Sequence, residues 1–129
     1  MAEVVFAMEL RGNAVPVEGR ENTFKAQTSG TGPNGETVSF ESEVVLTGDT
    51  FDEVGSISYG NRGSLKFVTV GVGHIGPSPV SGLNHGSVMW NITETEGEFA
   101  GATGLITSNF TFSEQGEVVD NQYVRLFTP

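Results

Sequence analysis

From Trp90 to Phe110 the chain reads as strand, corner, strand: a run beginning Trp90-Asn-Ile-Thr, then Gly97-Glu-Phe-Ala-Gly-Ala-Thr-Gly104, then Leu105-Ile-Thr-Ser-Asn-Phe110. β-branched and aromatic residues suit a pleated chain. The corner glycines permit positive φ and close backbone approach where the pleat turns. An antiparallel sheet bent this sharply can close on itself, and a closed sheet has an interior able to hold a small molecule.

The rest of the chain keeps the same grammar. Val4 to Leu10 and Thr23 to Thr28 are strand candidates, with a break expected at Gly12-Asn13 and Val15 to Val17 either extended or loop. Pro33-Asn34-Gly35 is a turn signal. Glu36 to Thr47 then alternates, with Val38, Phe40, Val44 and Leu46 on one face and Ser39, Glu41 and Glu43 on the other. Phe51 to Tyr59 follows a Gly48-Asp49 turn, and Gly60 to Gly63 makes the next hairpin. Leu65 to Val72 is almost continuously apolar, as expected for a strand covered on both sides. His74 to His85 is broken by Gly76, Pro77, Pro79 and Gly82, which predicts a long connection near the barrel mouth. Gly86 to Thr95, Thr103 to Glu114 and Glu117 to Phe127 complete about eight strands. No segment carries the helical i, i+3, i+4, i+7 period with caps. The reading is all-β: a single antiparallel barrel of about eight strands, residues 1–129 forming one domain.

Charge and composition narrow the function classes. Sixteen acidic against six basic side chains give a net charge of −10, which repels phosphate backbones and anionic membranes; neither nucleic acid nor membrane is an expected partner. With no cysteine, thiol nucleophiles, disulfides and thiolate metal sites are excluded. Met1 to Leu10 has neither the basic start nor the apolar run of a secretory signal, so a soluble cytoplasmic protein is expected.

The corner residues Gly97-Glu-Phe-Ala-Gly-Ala-Thr-Gly104, set between a Trp90-bearing strand and one ending in Phe110 and Phe112, resemble the Gly-x-Phe-x-Gly-Ala-x-Gly corner of allene oxide cyclase-like barrels. That superfamily includes plant allene oxide cyclases, dirigent proteins and bacterial spirotetronate cyclases. The resemblance implies the barrel fold, cofactor-independent cyclisation or isomerisation of a hydrophobic small molecule confined in the lumen, and self-association as a dimer or trimer. It implies no catalytic residue, because no matching motif lies outside the corner.

Several motifs read better as structure than as chemistry. Gly30-x-Gly32-x-x-Gly35 has dinucleotide-fingerprint spacing but no following helix to receive a pyrophosphate, so it reads as a hairpin turn. The sequons at Asn91 and Asn109 lie within strands and read as chance matches. His74 and His85 bracket the Pro/Gly connection and are read as surface groups, ligand contacts or a proton-handling pair; their spacing offers no metal motif, and neither metal nor cofactor is expected. Asp120 and Gln122 share a parity with Val124 and Leu126, while Asn121, Tyr123 and Arg125 share the other, so the last strand carries polar groups on both faces.

A mixed lumen lined by Tyr59, Trp90, Asn91, Asn109, Tyr123 and Arg125 is the functional expectation, with an internal hydrogen-bond network as the structural one. Trp90 and Tyr123 would be walls, Asn91 and Asn109 hydrogen-bond donors, and His85 or Glu41 the proton-handling group. The site set is therefore His85, Glu41 and Tyr123 for catalysis, and Tyr59, His74, Trp90, Asn91, Asn109 and Arg125 for the ligand. Arg125 is expected either to pair with Glu41 or Glu43 or to anchor a substrate carboxylate. Two functions follow: a cyclase or isomerase acting on a hydrophobic metabolite, or a non-catalytic carrier of one.

Overall fold

The computed structural model describes residues 2–129, so Met1 of the expected domain lies outside it. Nine strands follow one another: β1 (Ala2–Pro16), β2 (Thr23–Thr31), β3 (Thr37–Thr47), β4 (Thr50–Tyr59), β5 (Gly63–Thr69), β6 (Gly73–Pro77), β7 (Leu83–Gly97), β8 (Thr103–Ser113) and β9 (Glu117–Thr128). Pairing runs β3-β2-β1-β9-β8-β7-β5-β4 and closes through β3–β4, giving an eight-stranded antiparallel barrel. Closure leaves no free sheet edge in the ring.

The ninth strand adds no position to that ring. β6 pairs with β4 at Thr50 and Phe51 and with β7 from Asn84 to Ser87, beyond the point where β5 stops. Between the two, Val70 to Val72 loops out, with Gly71 in the left-handed region at φ 66°. The side chain of Thr69 patches the gap: its Oγ1 accepts from the Glu53 backbone N–H at 2.8 Å and donates to the Glu53 carbonyl at 2.7 Å. Breaks of this kind bend a sheet and re-aim the side chains beside them.

Three boundary expectations are corrected. Gly12-Asn13 does not interrupt β1, which pairs with β9 through both residues and continues to Pro16. Leu65 to Val72 is covered on one face only; Val68, Val70 and Val72 are exposed because no second layer packs outside the barrel. The long His74–His85 connection shrinks to Ser78–Gly82, since strand pairing claims residues on both sides.

Alternation decides what is inside. Leu10, Val38, Ile57, Ile106, Val124 and Leu126 are wholly buried, each on the parity that points into the ring. The ends of the barrel differ. At one end the Gly97–Gly104 corner folds Phe99 inward against Tyr59, ring centroids 5.1 Å apart, and Arg62 lies over the Phe99 ring while pairing with Glu36 and Glu98. That end is plugged. At the other end, half-buried Phe24, Leu46 and Phe112 leave a mouth.

Candidate functional site

Behind the mouth lies a cavity of about 90 Å³, walled mainly by aromatic and aliphatic side chains, among them Phe40, Phe51 and Phe110. Four polar side chains interrupt this wall: Glu53 from β4, Asp120 from β9, Ser108 from β8 and Thr28 from β2. The indole of Trp90 on β7 forms a fifth part of it. Each points inward by the same alternation that buries its apolar neighbours: Glu53 shares a face with Phe51 and Ile57, and Asp120 with Val118 and Val124.

The two carboxyls are 6% and 4% exposed. Ser42 donates to Glu53 Oε2 at 2.6 Å. Asp120 accepts two bonds, from Ser108 at 2.5 Å and from Gln122 Nε2 at 2.8 Å. Removal from water dominates both: burial pushes Glu53 up to about 8, opposed by the Ser42 hydroxyl and reinforced by the negative charge of Asp120. Burial likewise raises Asp120, opposed by Ser108 and then Gln122. The Trp90 indole N–H is turned so as to favour ionised Glu53, yet it meets no partner at full hydrogen-bonding distance and angle. The Thr28 hydroxyl is also buried and unpartnered.

Of the residues singled out from sequence, Tyr59 and Trp90 point inward. Trp90 lines the cavity, stacked on Phe67 with centroids 4.3 Å apart. Tyr59 belongs to the plugged end, away from the cavity wall, where burial raises its hydroxyl pKa. The expectation that Asn91, Asn109, Tyr123 and Arg125 line the lumen is corrected: all four lie on the outward parity, Tyr123 being 56% exposed. Arg125 pairs with Glu3 at 2.8 Å, not with Glu41 or Glu43, because β1 and not β3 is its neighbour. Glu43 takes Arg20 instead. Glu41 faces outward on β3, and His74 and His85 are exposed on adjoining strands near the mouth.

The sequence reading favours the opposite parity on β9 and does not select either luminal acid. Asp120 and Gln122 already stood among apolar residues of one face in the sequence, as did Glu53 between Phe51 and Ile57. A charged residue on an otherwise apolar face was the available signal. Comparison with protein-family models, with curated proteins and with solved structures found no match.

Proposed function

We propose that this barrel binds a hydrophobic small molecule and acts on it as a cofactor-independent cyclase or isomerase, with the reacting end held between Glu53 and Asp120. One observation carries the reading: two carboxyls share one apolar cavity, and Glu53 is pushed up to about 8. A carboxylic acid of that strength is protonated at neutral pH yet able to release its proton, as general acid catalysis requires. Asp120, held by two donors where Glu53 has one, is the better placed to carry charge and accept a proton.

Glu53 donates a proton to one atom of the substrate while Asp120 removes one from another, so the product keeps every atom of the substrate with its bonds rearranged. Transfer of the proton from Asp120 back to Glu53 resets the pair. The phenyl walls contribute by limiting the conformations of a flexible chain, which substitutes for entropy otherwise lost in the transition state. The resemblance of the Gly97–Gly104 corner to that of allene oxide cyclase-like barrels supports this chemistry.

A cavity of about 90 Å³ holds roughly three waters at ~30 Å³ each. It suits the reacting end of a longer molecule whose remainder lies among the mouth residues. A second reading, a carrier without chemistry, is favoured by Trp90 Nε1 and Thr28 Oγ1, buried polar atoms that a held ligand would satisfy. Native mass spectrometry of gently purified protein, followed by solvent extraction, tests both readings. A retained metabolite converted to an isomer of equal mass by the wild type, but not by Glu53→Gln, supports the enzyme. A retained but unchanged molecule supports the carrier, and failure to retain or bind any apolar molecule removes both.

A further inference from the structure

All six lysine and arginine side chains stand outside the cavity. Arg11, Arg20, Lys66 and Arg125 are more than half exposed at the side chain, Lys25 is exposed, and Arg62 clamps the plugged end. Glu53 and Asp120 therefore share the lumen without a counter-cation among the described residues, although buried acids are ordinarily paired. Beside them the Thr28 hydroxyl, 6% exposed, has no partner among the described residues and lines the same cavity. Three oxygen acceptors surrounded by phenyl faces form a recognisable chemical complement. A primary ammonium offers three N–H donors and one positive charge, and aromatic faces attract cations.

We propose that the lumen selects a protonated primary amine carried on a hydrophobic chain, the ammonium seated among Glu53, Asp120 and Thr28 and the chain leaving between Phe24, Leu46 and Phe112. This rests on the luminal small-molecule site proposed above, in its carrier reading, and names its ligand class; a Glu53 ionised beside an ammonium is not the proton donor of the enzyme reading. Trp90 supplies the remaining piece. Its N–H, in the same wall as Glu53, has no partner among the described residues and favours the ionised carboxyl, the form that a seated cation also favours. Asp120 is already solvated for charge by Ser108 and Gln122. The net charge of −10 raises the local concentration of cations and lowers that of anions.

Trp90 is the sole tryptophan and part of the cavity wall, so its emission reports occupancy in unaltered protein. Titration with n-hexylamine, 1-hexanol and hexanoate at pH 7.5 compares a cation, a neutral isostere and an anion of similar length. The expected result is saturable quenching or shift with hexylamine, affinity about tenfold or more above that for hexanol, and no response to hexanoate. Glu53→Gln and Asp120→Asn, near-isosteric and checked for folding by near-ultraviolet circular dichroism, should each reduce the preference for amine over alcohol by about tenfold. Equal binding of hexanol and hexylamine overturns the ammonium assignment while leaving a luminal apolar site intact. An amine preference that survives both substitutions also overturns it, since attraction by surface charge would then explain it. Silence of Trp90 toward all three probes overturns the assignment together with the luminal site.

Discussion

Ser108 on β8 donates to Asp120 on β9 from the diagonal position of the ladder, at 2.5 Å, in the middle of the barrel wall. Gln122 reaches back along β9 to the other carboxylate oxygen. Asp120 thus has two donors dedicated to its charge, whereas Glu53 across the lumen has Ser42 alone at full geometry. Two acids in one apolar cavity are thereby made unequal, and unequal acids can divide the roles of donor and acceptor.

Removing the Ser108 hydroxyl should reduce that inequality. Ser108→Ala is expected to push the Asp120 carboxyl further up and to cost about 1–3 kcal/mol, the range for leaving a buried acceptor short of a partner. Carboxyl carbon chemical shifts followed against pH would show the titration of Asp120 moving to higher pH. An unmoved titration would mean that the hydroxyl does not hold the charge.

The raised Glu53 value makes stability fall with increasing pH. Unfolded, this carboxyl titrates near 4.5; folded, near 8. Between those values the folded chain holds a proton that the unfolded chain has released, so the slope of stability against pH is negative. Denaturant unfolding should therefore give a declining free energy from about pH 5 to pH 8.5, levelling off above. Glu53→Gln cannot titrate and should flatten most of the decline, becoming more stable than wild type at pH 9. An equally steep decline in that variant would assign it to other acids instead, to Asp120, which burial also raises, or to repulsion among the surface acids.

Much of the barrel could be read directly from residue spacing, and the site only in part. Val38, Phe40, Val44 and Leu46 alternate cleanly, and Pro33-Asn34-Gly35 turns β2 into β3 with Gly35 at φ 80°. The last strand was ambiguous because both its faces carry polar groups. Closure of the ring, a non-local event, turned Asp120 and Gln122 inward and Tyr123 and Arg125 outward. The apolar run from Val68 to Val72 concealed the break beside Glu53, since a looped-out valine and a strand valine look alike in sequence. His74 and His85 drew attention by residue type, but alternation along β6 and β7 sends both to solvent.

Trp90 anchors the cavity wall through its neighbours. It stacks on Phe67 at 4.3 Å and lies 5.5 Å from Phe40, both buried. Trp90→Ala should cost about 3–5 kcal/mol in denaturant unfolding. Trp90→Phe should cost less, because it keeps the ring contact while deleting an unpartnered N–H. Equal costs for the two substitutions would locate the indole's contribution in its N–H.

Gly86 lies opposite Phe110 in the β7–β8 ladder, and a methyl group added there would enter the space of the Phe110 ring. The ring covers the glycine from the cavity side and meets Phe51 edge-on, centroids 5.8 Å apart. Gly73 leaves room for Phe51 in the same way. Two glycines therefore let two phenyl rings lie flat against the barrel wall beside the luminal acids. Gly86→Ala should force Phe110 out of this position, costing about 1–3 kcal/mol as an overpacked site does. In a Phe110→Leu background the same change should cost clearly less, because the shorter side chain has no ring to displace. A double-mutant cycle by denaturant unfolding measures that difference directly. Additive costs would mean that Gly86 is needed for its backbone alone, and that the aromatic lining of the cavity does not depend on it.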